Sequence, residues 1–179
     1  ESPAVIDGKE TLVGIDIEIG KLIAEALGKN LQVVNRGFDF LIEDLEAGKV
    51  DFVLAAMSPT EARAEKVDFS TIYYEASQVV LMASDDVATY DSIETMNVST
   101  LKLGAQLGSI QADLLSEFFG NVQTQVVQSV TDLVLYLEEG QLDGVILEAP
   151  VAQGFVDSSD ALDMSLFTVG DPEGGSAAA

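Results

Sequence analysis

Two stretches of this chain nearly copy each other, and that repetition constrains its fold more than any other feature. Leu45-Glu46-Ala47-Gly48-Lys49-Val50-Asp51-Phe52-Val53-Leu54 is echoed by Leu137-Glu138-Glu139-Gly140-Gln141-Leu142-Asp143-Gly144-Val145-Ile146. Each copy reads as helix end, glycine, short turn, strand. Glycine fits just past a helix C-terminus because it takes the left-handed conformation at little cost. The apolar run after each Asp suits a strand covered on both faces, as in a parallel α/β sheet. One motif used twice predicts two similarly built lobes, although two unrelated helix-turn-strand units would read the same way. Ligands of open α/β sheets bind beyond the carboxyl ends of strands. The first copy delivers Ala56, Met57 and Ser58 to such an edge, and the second delivers Glu148.

The residues after the first copy, Ala55 to Tyr74, hold Arg63, one of two arginines in a chain with eight Lys+Arg and 31 Asp+Glu. A strand that ends in Ser58-Pro59-Thr60 and then presents an arginine has the makings of a carboxylate site. The planar guanidinium offers a fork of donors that matches a carboxylate bidentately. On this segment alone the simpler account is a surface helix residue paired with Glu61 or Glu65. Taken with the repeat, Arg63 and Glu148 supply one basic and one acidic group, the chemistry needed to hold a zwitterion.

Composition removes several function classes. The net charge of −23 argues against nucleic-acid binding, which needs a basic footprint, and against adhesion to anionic lipid. The absence of His and Cys removes thiol nucleophiles, thiolate metal sites, and histidine bases and ligands. No calcium-loop spacing of Asp/Asn around Gly occurs. No cofactor, metal site or catalytic residue is therefore expected. No apolar run approaches the roughly 18 residues of a membrane span. No signal-peptide pattern starts the chain, so a secreted protein would be seen here in mature form. A length of 179 residues suits one domain or two small lobes.

Along the chain, residues 1–14 are turn-rich, with Pro3, Asp7-Gly8 and Gly14. The spacing then predicts a helix over Ile17–Leu27 ending at Gly28, a strand over Leu31–Asn35, a helix over Phe40–Ala47, and strands over Val50–Ala55 and Val79–Ala83. Ser84-Asp85-Asp86 is the expected crossing between lobes. A short helix near Ser92–Met96, a strand over Leu101–Ala105 and a helix from Gly108-Ser109 through Phe119 follow. After these come a strand over Val122–Val127, a helix over Val130–Glu139, the echoed strand Asp143–Leu147, and a helix from Val151 permitted by Pro150. Gly108-Ser109 is a strand–glycine–helix junction whose free backbone N–H groups can hold an anion. It lacks the Lys and spacing of a nucleotide P-loop. Ser109 as a simple N-cap is the commoner role, and both can hold at once.

With these residues in view, the chain resembles the periplasmic or extracellular amino-acid-binding proteins of ABC importers. Gly14-Ile15-Asp16-Ile17-Glu18-Ile19, Leu45 to Asp51, Met57-Ser58-Pro59-Thr60-Glu61-Ala62-Arg63, Val67-Asp68-Phe69-Ser70 and Tyr73-Tyr74 match family signatures in order. The resemblance implies an α/β, two-lobe type II periplasmic-binding-protein fold with a hinge between lobes. Lobe 1 would span residues 1–84, lobe 2 residues 85–170, and 171–179 would start a return crossing or act as a linker. It implies that Arg63 grips the ligand α-carboxylate, and that Ser58 and the backbone around Ala56 bind its ammonium and carboxylate groups. Ser109 and Ile110 would hold the carboxylate at a helix N-terminus, Glu148 the α-ammonium, and Phe38 would pack on the ligand side chain. From its residue type alone, Phe38 reads as ordinary core.

The implied ligand is a free amino acid, polar or basic, and the implied partner is the membrane permease of an ABC importer, with the receptor itself a monomer outside the cytoplasm or lipid-anchored. A sensor domain of a receptor and a cyclohexadienyl dehydratase-like enzyme on the same fold are the alternatives. Glu148 is the one candidate acid or base for the enzyme. Two departures stand out. Where many relatives have an aromatic wall, the gapless match places Ala4. The additional first strand and the final return of the family are also missing, so an incomplete first sheet with unpaired edges is expected.

Overall fold

The computed structural model describes residues 2–6, 9–170 and 175–179, with 2–6, 9–11 and 175 described as backbone alone. The helix ends of the two copied motifs fold alike. Helix α2, Leu41–Glu46, and helix α6, Val130–Glu138, both run into a left-handed glycine, Gly48 at φ 66° and Gly140 at φ 69°. The bonds that close the two ends match residue for residue. Gly48 N–H donates to the Leu45 carbonyl at 3.0 Å and Lys49 N–H to Asp44 at 2.9 Å. Gly140 N–H donates to Leu137 at 3.0 Å and Gln141 N–H to Tyr136 at 2.8 Å. These bonds satisfy carbonyls that the last helical turn leaves open.

The chain divides into two compact units. The first comprises the described residues of Glu1–Arg36, Phe40–Tyr74 and Ser176–Ala179, and the second those of Gly37–Asp39 and Glu75–Gly175. The first unit opens with an antiparallel hairpin of β1 (Ser2–Ile6) and β2 (Lys9–Val13), in register from Ser2 opposite Val13 to Ile6 opposite Lys9. The turn-rich reading of 1–14 is corrected accordingly, and Asp7-Gly8 lies outside the described residues. Helix α1 (Ile15–Ala26) follows, then α2 and the short α3 (Glu61–Ala64). The expected strand over Leu31–Asn35 is irregular, and so is most of Val50–Ala55. Both carry strand-like side chains, but a strand also needs a ladder. Val53 exchanges backbone bonds with Ala179, at 2.6 and 3.1 Å, and Met57 bridges Ala177. Residues 176–179 are thus bound into the first unit, while 171–174 lie outside the described residues.

The chain passes to the second unit at β3 (Tyr74–Glu75) and returns at β9 (Gly175–Ser176). It does not cross at Ser84–Asp86, where a crossing was expected. Strand β4 (Gln78–Ala83) instead belongs to the second unit, because its ladder partners lie there. After the short helix α4 (Ile93–Met96), closed by a Ser92–Thr95 capping box, come β5 (Lys102–Gln106), α5 (Ile110–Phe118) and β6 (Gln123–Val127). Then follow α6, β7 (Gly144–Glu148), α7 (Ala149–Val156) and β8 (Leu162–Met164). They build a five-stranded sheet in the order β6-β5-β7-β4-β8. Strand β5 runs parallel to β6 and β7, whereas β4 runs antiparallel to β7 and β8.

Strand β7 is buried throughout, which explains its continuous apolar run. On one face Val80, Met82, Leu103 and Ile146 pack with Leu115 and Phe119 of the α5 segment. On the other, Val79, Leu81, Val145 and Leu147 pack with Leu133, Leu137 and Ala152 of α6 and α7. The sheet is mixed rather than parallel because β4 enters from the crossing and runs against β7.

Candidate ligand-binding site

In the first unit, the Ser-Pro-Thr turn organises Arg63. Thr60 caps α3, its Oγ1 accepting from the Arg63 N–H at 3.3 Å. The guanidinium turns back, and Nη1 donates to the Ser58 carbonyl at 2.7 Å. Ser58 itself is buried. The other arginine has a different task. Arg36 Nε donates to Asp44 at 2.6 Å, and Lys49 Nζ reaches the second oxygen of the same carboxylate at 2.6 Å. Asp44 is 4% exposed, so its charge is compensated where water is scarce. Those hydrogen bonds, Lys49 first and Arg36 second, hold its carboxyl below the ordinary value of 3.8.

Ala56 stands in the left-handed region at φ 48°, a conformation that costs a non-glycine residue roughly 1 kcal/mol or more. Its N–H donates to Asp16 Oδ2 at 3.1 Å, and Asp16 Oδ1 accepts from the Tyr73 hydroxyl at 2.7 Å. Asp16 is buried in the first turn of α1. A ligand therefore cannot use the Ala56 N–H without displacing Asp16.

In the second unit, Ser109, Ile110 and Glu148 come together around one end of the apolar face covered by α5. Ser109 is the N-cap of α5, 4% exposed. Its Oγ donates to the Gln106 carbonyl at 2.7 Å and accepts from the Ala112 N–H at 3.4 Å. Ile110 is the first residue of the helix. Glu148 ends β7, is 5% exposed, and lies directly opposite Gln78 in the ladder with β4. Gln78 is linked to α5 through its Oε1, which accepts from Gln111 Nε2 at 2.8 Å. The Phe38-Asp39 backbone also belongs to this unit. A Cβ built on Gly108 would stand 3.1 Å from the Asp39 Cα, so this loop runs close beside the start of α5. Phe38 is half-buried, and the side chain at Ala4, the position of the missing aromatic, lies outside the described residues.

The site expectations thus divide by unit: Ala56, Ser58 and Arg63 in the first, Phe38, Ser109, Ile110 and Glu148 in the second. Sequence reasoning gave no role to Asp16, Tyr73, Gln78 or Gln111. Gln78 carried a visible signal, a long polar side chain at the head of the apolar run Val79-Val80-Leu81-Met82.

Residues 2–134 match the family model described as bacterial extracellular solute-binding proteins, family 3. The chain belongs to that family. It is 34% identical over 176 residues to the arginine-binding extracellular protein ArtP of Bacillus subtilis, covering 95% of this chain but 66% of that protein, just under two thirds of its length. Among solved structures it is similar to the amino acid ABC transporter substrate-binding protein AbpA from Streptococcus pneumoniae bound to L-arginine. That match has 34% identity and a TM-score of 0.93, over 98% of this chain and 73% of the other. It is also similar, at 27% identity and a TM-score of 0.86 over 96% and 72%, to the ancestral amino-acid-binding protein AncCDT-1, a precursor of cyclohexadienyl dehydratase. The fold is that of type II periplasmic-binding proteins, with mixed α/β architecture.

Proposed function

We propose that this chain is the receptor of an amino-acid ABC importer and binds a free cationic amino acid, with L-arginine the first candidate. The observation that carries this reading is the pairing, in the second unit, of the buried carboxylate of Glu148 with the N-terminus of α5 at Ser109–Ile110. One is built for an ammonium, the other for a carboxylate, and a free amino acid has both. In the first unit, the Arg63 guanidinium is a second group suited to a ligand carboxylate. Phe38 covers the ligand side chain, and Ser58 with the Ala56 carbonyl completes the polar shell.

The two units act as lobes, and the paired crossings β3 and β9 serve as their hinge. The receptor works as a monomer outside the cytoplasm, free or lipid-anchored, and presents its ligand to a membrane permease. Arginine binding by the relatives supports the ligand class, and their setting in ABC transport supports the partner.

A thermal-shift screen of the chain against the twenty amino acids tests this directly, because ligand raises stability by mass action. A rise in Tm with arginine and few others is expected. A cooperative melt that no amino acid shifts would sink the reading. The similarity to AncCDT-1 keeps an enzymatic reading testable, with Glu148 as its acid. Release of phenylpyruvate from prephenate would favour that reading over pure binding.

A further inference from the structure

We infer that Gln78 is a further ligand-contacting residue, whose side-chain amide donates a hydrogen bond to the carboxylate of the bound amino acid. The inference rests on the amino-acid-binding reading above. Gln78 is 3% exposed. Its Oε1 accepts from Gln111 Nε2 at 2.8 Å, and this contact fixes which way the amide faces. The opposite atom, Nε2, is buried and has no hydrogen-bond partner among the described residues. A buried donor without an acceptor costs about 1–3 kcal/mol, and buried polar groups are nearly always satisfied. The fold has no packing need for a polar residue here, since the neighbours of Gln78 on the same strand face, Val80 and Met82, are core.

The position of the donor gives its partner. Gln78 faces Glu148 across the β4–β7 ladder, and residues directly opposite project side by side on one face of a sheet. That face is the one covered by α5, and Gln111 follows Ile110 at the start of that helix. Nε2 therefore lies at the end of the sheet where the carboxylate-binding helix terminus and the ammonium-binding Glu148 are brought together. An amide N–H repels an ammonium and attracts a carboxylate oxygen. It also adds no net charge beside Glu148, which a lysine or arginine at position 78 would neutralise.

Titration calorimetry of the full chain with L-arginine, or with the amino acid giving the largest shift in the screen, tests the assignment. Gln78→Met keeps the volume and removes the donor. It is expected to weaken binding roughly tenfold, the scale of one hydrogen bond to a charged group. Gln78→Glu puts an acceptor where the donor stood and should weaken binding at least as much. Equal affinities in wild type and Gln78→Met would overturn the inference, meaning that Nε2 is merely solvated. Retained or tighter binding by Gln78→Glu would also overturn it, because the side chain would then be facing the ammonium. Melts without ligand check that both variants fold, and if Gln78→Met does not, Gln78→Glu decides alone. Failure of the parent reading looks different: the wild type itself then binds no amino acid.

Discussion

Arg63 and Arg36 are chemically identical, and their surroundings separate them. Arg36 is committed to Asp44, whereas Arg63 is folded against the Ser58 carbonyl at the end of a capped turn. Arg63→Ala is expected to lower affinity for every amino acid by roughly a hundredfold or more, since two charge-assisted bonds are lost. Phe38→Ala should instead change the ranking among ligands, and calorimetry across a panel separates the two effects. Asp44 gives a pH prediction. Its folded pKa lies below the ordinary 3.8. The stability it contributes is therefore present above that value and is lost as pH falls through the lower, folded pKa. Urea midpoints of the wild type and Asp44→Asn should differ at neutral pH and converge below pH 3.8. A gap that persists unchanged at low pH would remove the ion-pair account.

At the scale of elements, most of the second unit was legible in the sequence, because its strands and helices carry their own end signals. Gly108-Ser109, Ser129 and Gly140 mark the ends of α5 and α6 within a residue or two. The first unit was less legible. Leu31–Asn35 and Val50–Ala55 have the composition of strands, but strands are made by partners, and partners are distant in sequence. The hairpin of β1 and β2 was hidden by turn-forming residues. The crossing was misplaced because β4 looks the same whichever unit it joins. Of the candidate site, charged and glycine-flanked positions could be read, while Asp16 could not: its role depends on Ala56 and Tyr73, 40 and 57 residues away. Asp16→Ala should cost about 1–3 kcal/mol by leaving the Ala56 donor unsatisfied, measured by urea denaturation. Tyr73→Phe should cost less. In the sheet, a Cβ on Gly144 would stand 2.7 Å from Val80 Cγ1 and 3.0 Å from Leu103 Cδ2. Gly144→Ala is expected to destabilise by about 1–3 kcal/mol through overpacking, read as a lower Tm.

For the whole molecule, the first unit is discontinuous in sequence. Val53 and Met57 are completed by Ala179 and Ala177, and Ser70 N–H donates to the Ala178 carbonyl at 2.8 Å. The main segment of the second unit, the described residues of Glu75–Gly175, lies between these partners. Pairings of such long sequence separation form late and slowly, because a large loop must close first. During synthesis, residues 176–179 emerge after the second unit, so the second unit can fold while the first is still open. Until residues 176–179 follow, Val53, Met57 and Ser70 of the first unit lack their backbone partners, whatever the second unit has already achieved.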